Sequence, residues 1–153
     1  SILAMFNSSD PDVKTIYFYT FTLYNSGGQQ LDKMIAHVKS LVEELELPYR
    51  ILRLCGGDLS FTSAMTYDFE VFSAAQERWL EVSSVSNFES YQANRLMCRY
   101  RDPEEGITLC HTLNGSALAL PRIVAALLEN NQTPEGIIIP KALRPYTGFD
   151  KID

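Results

Sequence analysis

The sequence predicts an α+β fold, and three observations carry the prediction. Several runs alternate apolar and polar residues with period two, the mark of half-buried strands. Other stretches repeat their apolar residues at three and four, the mark of amphipathic helices. Two of the alternating runs, 67–72 and 79–85, are joined by the short polar segment AAQER, so they read as an antiparallel hairpin. At 153 residues the chain fits one domain and can bury on the order of two thirds of its unfolded surface.

Taken in order, residues 15–24 (TIYFYTFTLY) are dense in β-branched and aromatic residues and end at NSGG, which predicts a strand and a turn. From Leu31, the residues Met34, Ile35, Val38, Leu41, Val42 and Leu45 trace the apolar stripe of a helix over 31–46 that stops before Pro48. His37 falls on its polar side, where a solvated histidine is expected. Tyr49 to Leu54 reads as a short strand, and CGGD at 55–58 breaks it with glycines suited to a turn or a close approach. In TYDFEVF, Tyr67, Phe69 and Val71 share one face, and Asp68, Glu70 and Phe72 the other. Two carboxylates at i and i+2 could share a cation, yet any half-exposed strand shows this pattern; Glu70 reads as plain surface and Asp68 stays open. Ile107 to Leu113 predicts another strand, followed by NGSALA and a helix LPRIVAALLENNQ with Pro121 in its first turn. IIIP at 137–140 reads as a short buried strand and KALRPYTGFDKID as an irregular tail.

Residues 79–95, WLEVSSVSNFESYQANR, hold the candidate chemistry. Alternation puts Leu80, Val82 and, less cleanly, Ser84 on one face, and Glu81, Ser83 and Val85 on the other. Ser86 and Glu89 form an S-x-x-E capping box, which predicts a helix over 87–97. Glu81, Ser84 and Asn87 would then stand near free backbone N–H groups, an arrangement that suits an anion or a metal-bound anion and equally describes an ordinary capped helix. Beyond it, Arg95, Arg99 and Arg101 could meet phosphate or form a mixed surface. Arg122 is a lone charge on an apolar helix and must reach water, a carboxylate or a phosphate.

Composition excludes several classes. A net charge of −6 argues against broad nucleic-acid binding. Cys55, Cys98 and Cys110 form no C-x-x-C pair and no zinc spacing, which favours a reducing, cytoplasmic setting without disulfides. SILAMF is too short for a membrane span or signal peptide and reads as a ragged start or expression remnant.

Read together, TYDFEVFSAAQERWLEVSSVSNFESYQANR and LCHTLNGSALALPRIVAALLENNQ closely resemble the C-terminal half of the seryl-tRNA synthetase catalytic domain. The resemblance covers residues 29–153 and rests on ordered parts: the CGGD turn, the TYD strand, LEVSSVSN, QANR, TLNGSALALPR, which looks like motif 3 of class II synthetases, and PKALRPYTGFDKID. It implies a partial class II aminoacyl-tRNA synthetase core, an antiparallel sheet flanked by helices, that joins serine and ATP into seryl-adenylate and passes the seryl group to tRNA. It assigns Glu81 and Ser84 to Mg2+ bridging the ATP phosphates, Arg122 to the γ-phosphate and adenine, and Asn114 and Ser116 to the serine pocket. Glu81 and Arg122 would thus be the catalytic pair.

The resemblance also marks departures. Residues 1–28 carry no match to it, motif 1 has no counterpart, and the arginine and glutamates of motif 2 are missing, since Arg50 and Glu43 are the first of their kind. The expectation is a ligase half-domain that is weak or inactive alone, with a non-catalytic interaction module as the alternative. Self-association, or a partner covering the missing half, is expected, and tRNA binding by this chain alone is not.

Overall fold

The computed structural model describes residues 22–24 and 27–153. Its centre is a five-stranded sheet built from β1 (Thr22–Tyr24), β2 (Tyr49–Arg53), β3 (Met65–Ser73), β4 (Arg78–Glu89) and β7 (His111–Gly115). The strands lie in the order β1-β7-β4-β3-β2, each antiparallel to its neighbours. The predicted hairpin is therefore β3 and β4 at the heart of the sheet. Of the strand expected at 15–24, residues 15–21 lie outside the described residues, while β1 pairs with β7.

Two helices cover one face. Helix α1 (Gly27–Glu44) brings Leu31, Val38 and Val42 onto Phe69, Val71, Val82, Val85 and Leu113, and α3 (Leu120–Asn130) adds Ile123 and Ala126 to the same core. Burial of Leu31, Val38, Val42 and Leu45 follows the three-and-four spacing of the sequence, and Pro121 sits in the first turn of α3, where a missing N–H leaves no bond unmade. The glycine of TLNG has a packing reason. Gly115 faces Val85 on the covered side, and a Cβ there would come within 2.7 Å of Met34 Cε on α1. At CGGD, by contrast, a Cβ on Gly56 or Gly57 would meet nothing within 4 Å, so these residues turn the chain without a close approach in the described fold.

Five sequence expectations are corrected. The helix expected over 87–97 is a single short turn and a half, α2 (Tyr91–Leu96), because β4 continues to Glu89. Its N-cap is Ser90, and the anticipated Ser86 box does not form: the Ser86 hydroxyl lies 2.8 Å from that of Thr66 across the sheet, and Val85 to Glu89 ladder with β7. Long-range pairing outweighs a local cap worth about 1 kcal/mol. The strand expected over 107–113 is two, since β5 (Arg99–Asp102) and β6 (Gly106–Leu109) make a separate hairpin and the chain joins the main sheet only at β7. The run IIIP is buried only in part: Ile137 and Ile138 are half-buried in β9 (Gly136–Ile138), the middle strand between β8 (Gln132–Thr133) and β10 (Lys151–Ile152), while Ile139 and Pro140 beyond its end are buried. The tail is regular: a 3-10 turn at Lys141–Leu143 and helix α4 (Arg144–Thr147) return the chain to β10. Finally, the even alternation read in WLEVSSV is interrupted, with consequences described below.

The three cysteines are free, with Cys98 Sγ 3.8 Å from Cys110 Sγ. No helix among the described residues is long and apolar enough to cross a membrane.

Candidate functional site

The sheet face opposite α1 and α3 is polar, and one irregularity organises it. In the β3–β4 ladder Phe69 pairs with Ser83 and Glu70 with Glu81, leaving Val82 without a partner. This is a β-bulge: the extra residue on β4 resets its parity. Val82 and Ser83 are both buried on the core side, at 1% exposure each. Glu81 and Ser84, three apart and expected on opposite faces, therefore share one face with their cross-strand partners Glu70 and Asp68.

The motif-3-like segment holds the bulge in place. The Ser116 backbone N–H donates to Ser84 O at 3.1 Å, and Ser116 Oγ accepts the Ser84 N–H at 3.2 Å. The Ser83 hydroxyl donates to Ser116 O, the Ala119 N–H to Val82 O, and Arg122 Nη1 to Glu81 O. Residues 116–122 thus bond the backbone of β4 from Glu81 to Ser84, so the loop sequence and the bulge support each other. Arg122 meets a backbone carbonyl, one answer to its predicted need for a partner, while its guanidinium remains exposed.

The five site residues fall as follows. Glu81 is exposed and Ser84 half-buried on β4; Asn114 lies on β7 opposite Ser86, half-buried; Ser116 follows two residues on, exposed, and touches Ser84; Arg122 stands at the start of α3 beside Glu81. All five border one stretch of β4. Asn87 is not among them: it pairs with Leu113, and its Oδ1 accepts the Glu89 N–H at 2.9 Å. Arg95 stacks on Tyr91 at 4.6 Å, and Arg99 and Arg101 are exposed on the separate β5–β6 hairpin. His37 is exposed on α1.

Sequence reasoning missed Arg50. It pairs with Glu70 at 2.5 Å and lies 4.8 Å over the Trp79 ring, forming a charged and aromatic end to the polar face. The alternation of YRILR, set antiparallel to TYDFEVF, was the available signal.

Electrostatically the face is short of cations. The Glu81 carboxyl is pushed above its ordinary value of 4.5, first because the surrounding chain removes water from it, then by the Asp68 and Glu70 charges, with Arg122 opposing. Asp68 Oδ1 is buried and has no hydrogen-bond partner. Carboxylate and hydroxyl oxygens with an orphaned lone pair are the donor set of a hard cation such as magnesium. Among the described residues, no three His, Cys, Asp or Glu side chains form a group that could hold a metal by themselves. That fits an ion taking one or two carboxylates and completing its shell with water and phosphate.

The described family of the tRNA synthetase class II core domain (G, H, P, S and T) matches residues 15–131, beginning ahead of residue 29. The serine–tRNA ligase of Salinibacter ruber is 62% identical over 124 residues, which are 80% of this chain and 29% of that protein. The chain thus spans less than a third of the curated relatives it matches. Among solved structures, seryl-tRNA synthetase from Pyrococcus horikoshii complexed with ATP superposes with a TM-score of 0.75 at 39% identity, covering 82% of this chain and 29% of that one. The cytoplasmic serine–tRNA ligase of Naegleria fowleri in complex with AMP also gives a TM-score of 0.75, at 30% identity, over 86% and 32%.

Proposed function

This chain belongs to the class II tRNA synthetase core family (G, H, P, S and T), and from that premise we propose that it is the metal-binding and motif-3 half of a serine–tRNA ligase active site. The reaction is adenylation of serine by ATP, followed by transfer of the seryl group to tRNA. The observation that carries this reading is the bulge at Val82, which sets Glu81 and Ser84 on one face with Arg122 bound to the same strand. A relative of the same fold holds ATP.

In this reading Glu81 and Ser84 hold Mg2+, which neutralises phosphate charge when bound. The exposed guanidinium of Arg122 takes the γ-phosphate through paired N–H donors and lays its plane against adenine. Asn114 and Ser116 offer hydrogen bonds to serine, rejecting analogues that would leave them unpaired. Serine's carboxylate is ionised at pH 7, so its attack on the α-phosphate, with pyrophosphate leaving, needs no general base. Positioning and charge neutralisation supply the rate. The family's motif 2 groups are absent from the sequence, and Arg50 is occupied by Glu70. The chain alone is therefore expected to be weak or inactive in adenylation, and its net charge of −6 disfavours tRNA binding unaided. A cytoplasmic setting is part of the proposal, in keeping with its unpaired cysteines.

Calorimetric titration with magnesium and ATP is the test. Heat in the parent chain that disappears in Glu81→Ala supports the site; a parent without heat ends the reading.

One observation favours an interaction role as well. Leu120, Val124 and Leu128 form an exposed stripe at i, i+4 and i+8 on α3, beside an apolar hollow of about 100 Å³ lined by Ile137, Ile139 and Leu143. Such a face is covered in a larger assembly. Light scattering of the isolated chain should give a mass above 17.3 kDa, whereas a monodisperse monomer would contradict self-association.

A further inference from the structure

Cys98 and Cys110 bracket the β5–β6 hairpin, and none of the roles given above to nucleotide, metal or serine involves them. The hairpin ladder pairs Arg99 with Leu109, so the next position outward sets the two cysteines opposite each other, and the Cys110 N–H donates to Cys98 O at 3.3 Å. Their sulfurs stand 3.8 Å apart, with the Cys98 thiol donating to Cys110 Sγ. Directly opposed residues of an antiparallel pair have Cα atoms about 4.5–5.5 Å apart, inside the range of about 4.4–6.8 Å that a disulfide spans. The backbone is therefore set for the bond, and side-chain rotation can close the gap to an S–S length of about 2.05 Å. Both cysteines are anchored: the Cys98 N–H donates to Ala93 O in α2 at 2.8 Å, and Cys110 leads directly into β7 of the main sheet. Exposure divides their roles. Cys98 is half-buried, whereas Cys110 is 4% exposed and its thiol is pushed above the ordinary value, first by burial and then by Cys98. An oxidant from solvent meets Cys98 first, with the second sulfur already in contact behind it. Cys55 is different: it is exposed on the CGGD turn and its thiol donates to Asp58 Oδ2 at 3.3 Å.

We propose that Cys98 and Cys110 form a reversible oxidation site, in which a hydroperoxide oxidises Cys98 and Cys110 resolves the product to an intramolecular disulfide. In the first step the Cys98 thiolate attacks a peroxide oxygen and the O–O bond breaks. One oxygen stays on sulfur as a sulfenic acid, and the other leaves with a proton as water or alcohol. In the second step the Cys110 sulfur, giving up its proton, attacks the Cys98 sulfur; the S–O bond breaks and that oxygen leaves as water. Two thiols have then lost two electrons and two protons to the peroxide. A small dithiol reverses the change by thiol–disulfide exchange. Because the resolving sulfur is adjacent, Cys98 is captured before it passes to the sulfinic acid. A bond of this kind suits a reducing compartment, where disulfides are transient and redox-sensing, and it ties the base of the β5–β6 hairpin to the strand that carries Asn114.

The test treats the full chain with an equimolar amount of hydrogen peroxide, blocks the remaining thiols with iodoacetamide in denaturant, and maps the products by mass spectrometry. The expected product is a single chain lighter by two hydrogens, with a peptide linking Cys98 to Cys110 and Cys55 alkylated. Dithiothreitol should return all three thiols to alkylation. In Cys110→Ala the linked peptide should vanish and Cys98 should become trappable by dimedone as the sulfenic acid, while in Cys98→Ser the Cys110 thiol should stay unmodified. The parent chain carries the decisive outcome, so a variant that fails to fold leaves the test intact. A parent whose Cys98 and Cys110 both remain alkylatable, whose new disulfide involves Cys55, or whose Cys98 reaches the sulfinic acid with Cys110 still free overturns the proposal.

Discussion

Replacing Phe69 with alanine is expected to destabilise the chain by about 3–5 kcal/mol, a large fraction of the roughly 5–15 kcal/mol that holds an ordinary domain folded. The ring is 0% exposed on β3, an interior strand, and packs among Val71, Val82, Val85 and Leu113 beneath α1 and α3. Truncation removes apolar contact and leaves a cavity that strands paired on both sides cannot close. The bulge adds to the cost, for Phe69 pairs with Ser83 at the step where Val82 is displaced into the core. Urea denaturation measures the loss. Phe61→Ala is the internal control: at 86% exposure its ring should cost within about 0.5 kcal/mol. Similar losses for the two would mean that the core is not centred on the β3–β4 face.

Arg122→Ala is expected to lower serine-dependent ATP–pyrophosphate exchange by on the order of a thousandfold relative to whatever rate the parent shows, with little change in stability. The side chain is exposed and bonded to a carbonyl at the chain surface, so its removal unseats no core. What it removes is the exposed guanidinium that the proposed function assigns to phosphate, whose paired N–H donors suit a phosphate's oxygens. Arg122→Lys should recover only a small part of the rate, because a point charge lacks the paired donors and flat face of arginine. A parent rate no higher than that of Arg122→Ala would mean that this chain has no adenylation activity of its own, and the proposed site would then stand or fall on magnesium-ATP binding by calorimetry.

Much of the fold was legible because hydrophobic periodicity is local. The stripe from Leu31 to Leu45, the alternation of Phe69 and Val71 and the AAQER turn each announce their element within a few residues. Where non-local pairing competed with a local signal, the local signal lost. Ser86 and Glu89 look like a cap, yet Thr66 and β7 offer Ser86 and its neighbours a strand. Ile107 to Leu113 looks like one strand, yet its two ends pair with different partners. Of the candidate site, the residue types and their order were readable, and the resemblance supplied their roles.

The sequence by itself determined which residues are apolar, where helices and strands arise and which family the chain resembles, since those are properties of neighbours along the chain. Tertiary structure alone decided that Glu81 and Ser84 face the same way and that Asp68 stands across from them. One extra residue in β4 reverses the side-chain parity of everything before it, and only pairing with β3 and the 116–122 segment selects that register.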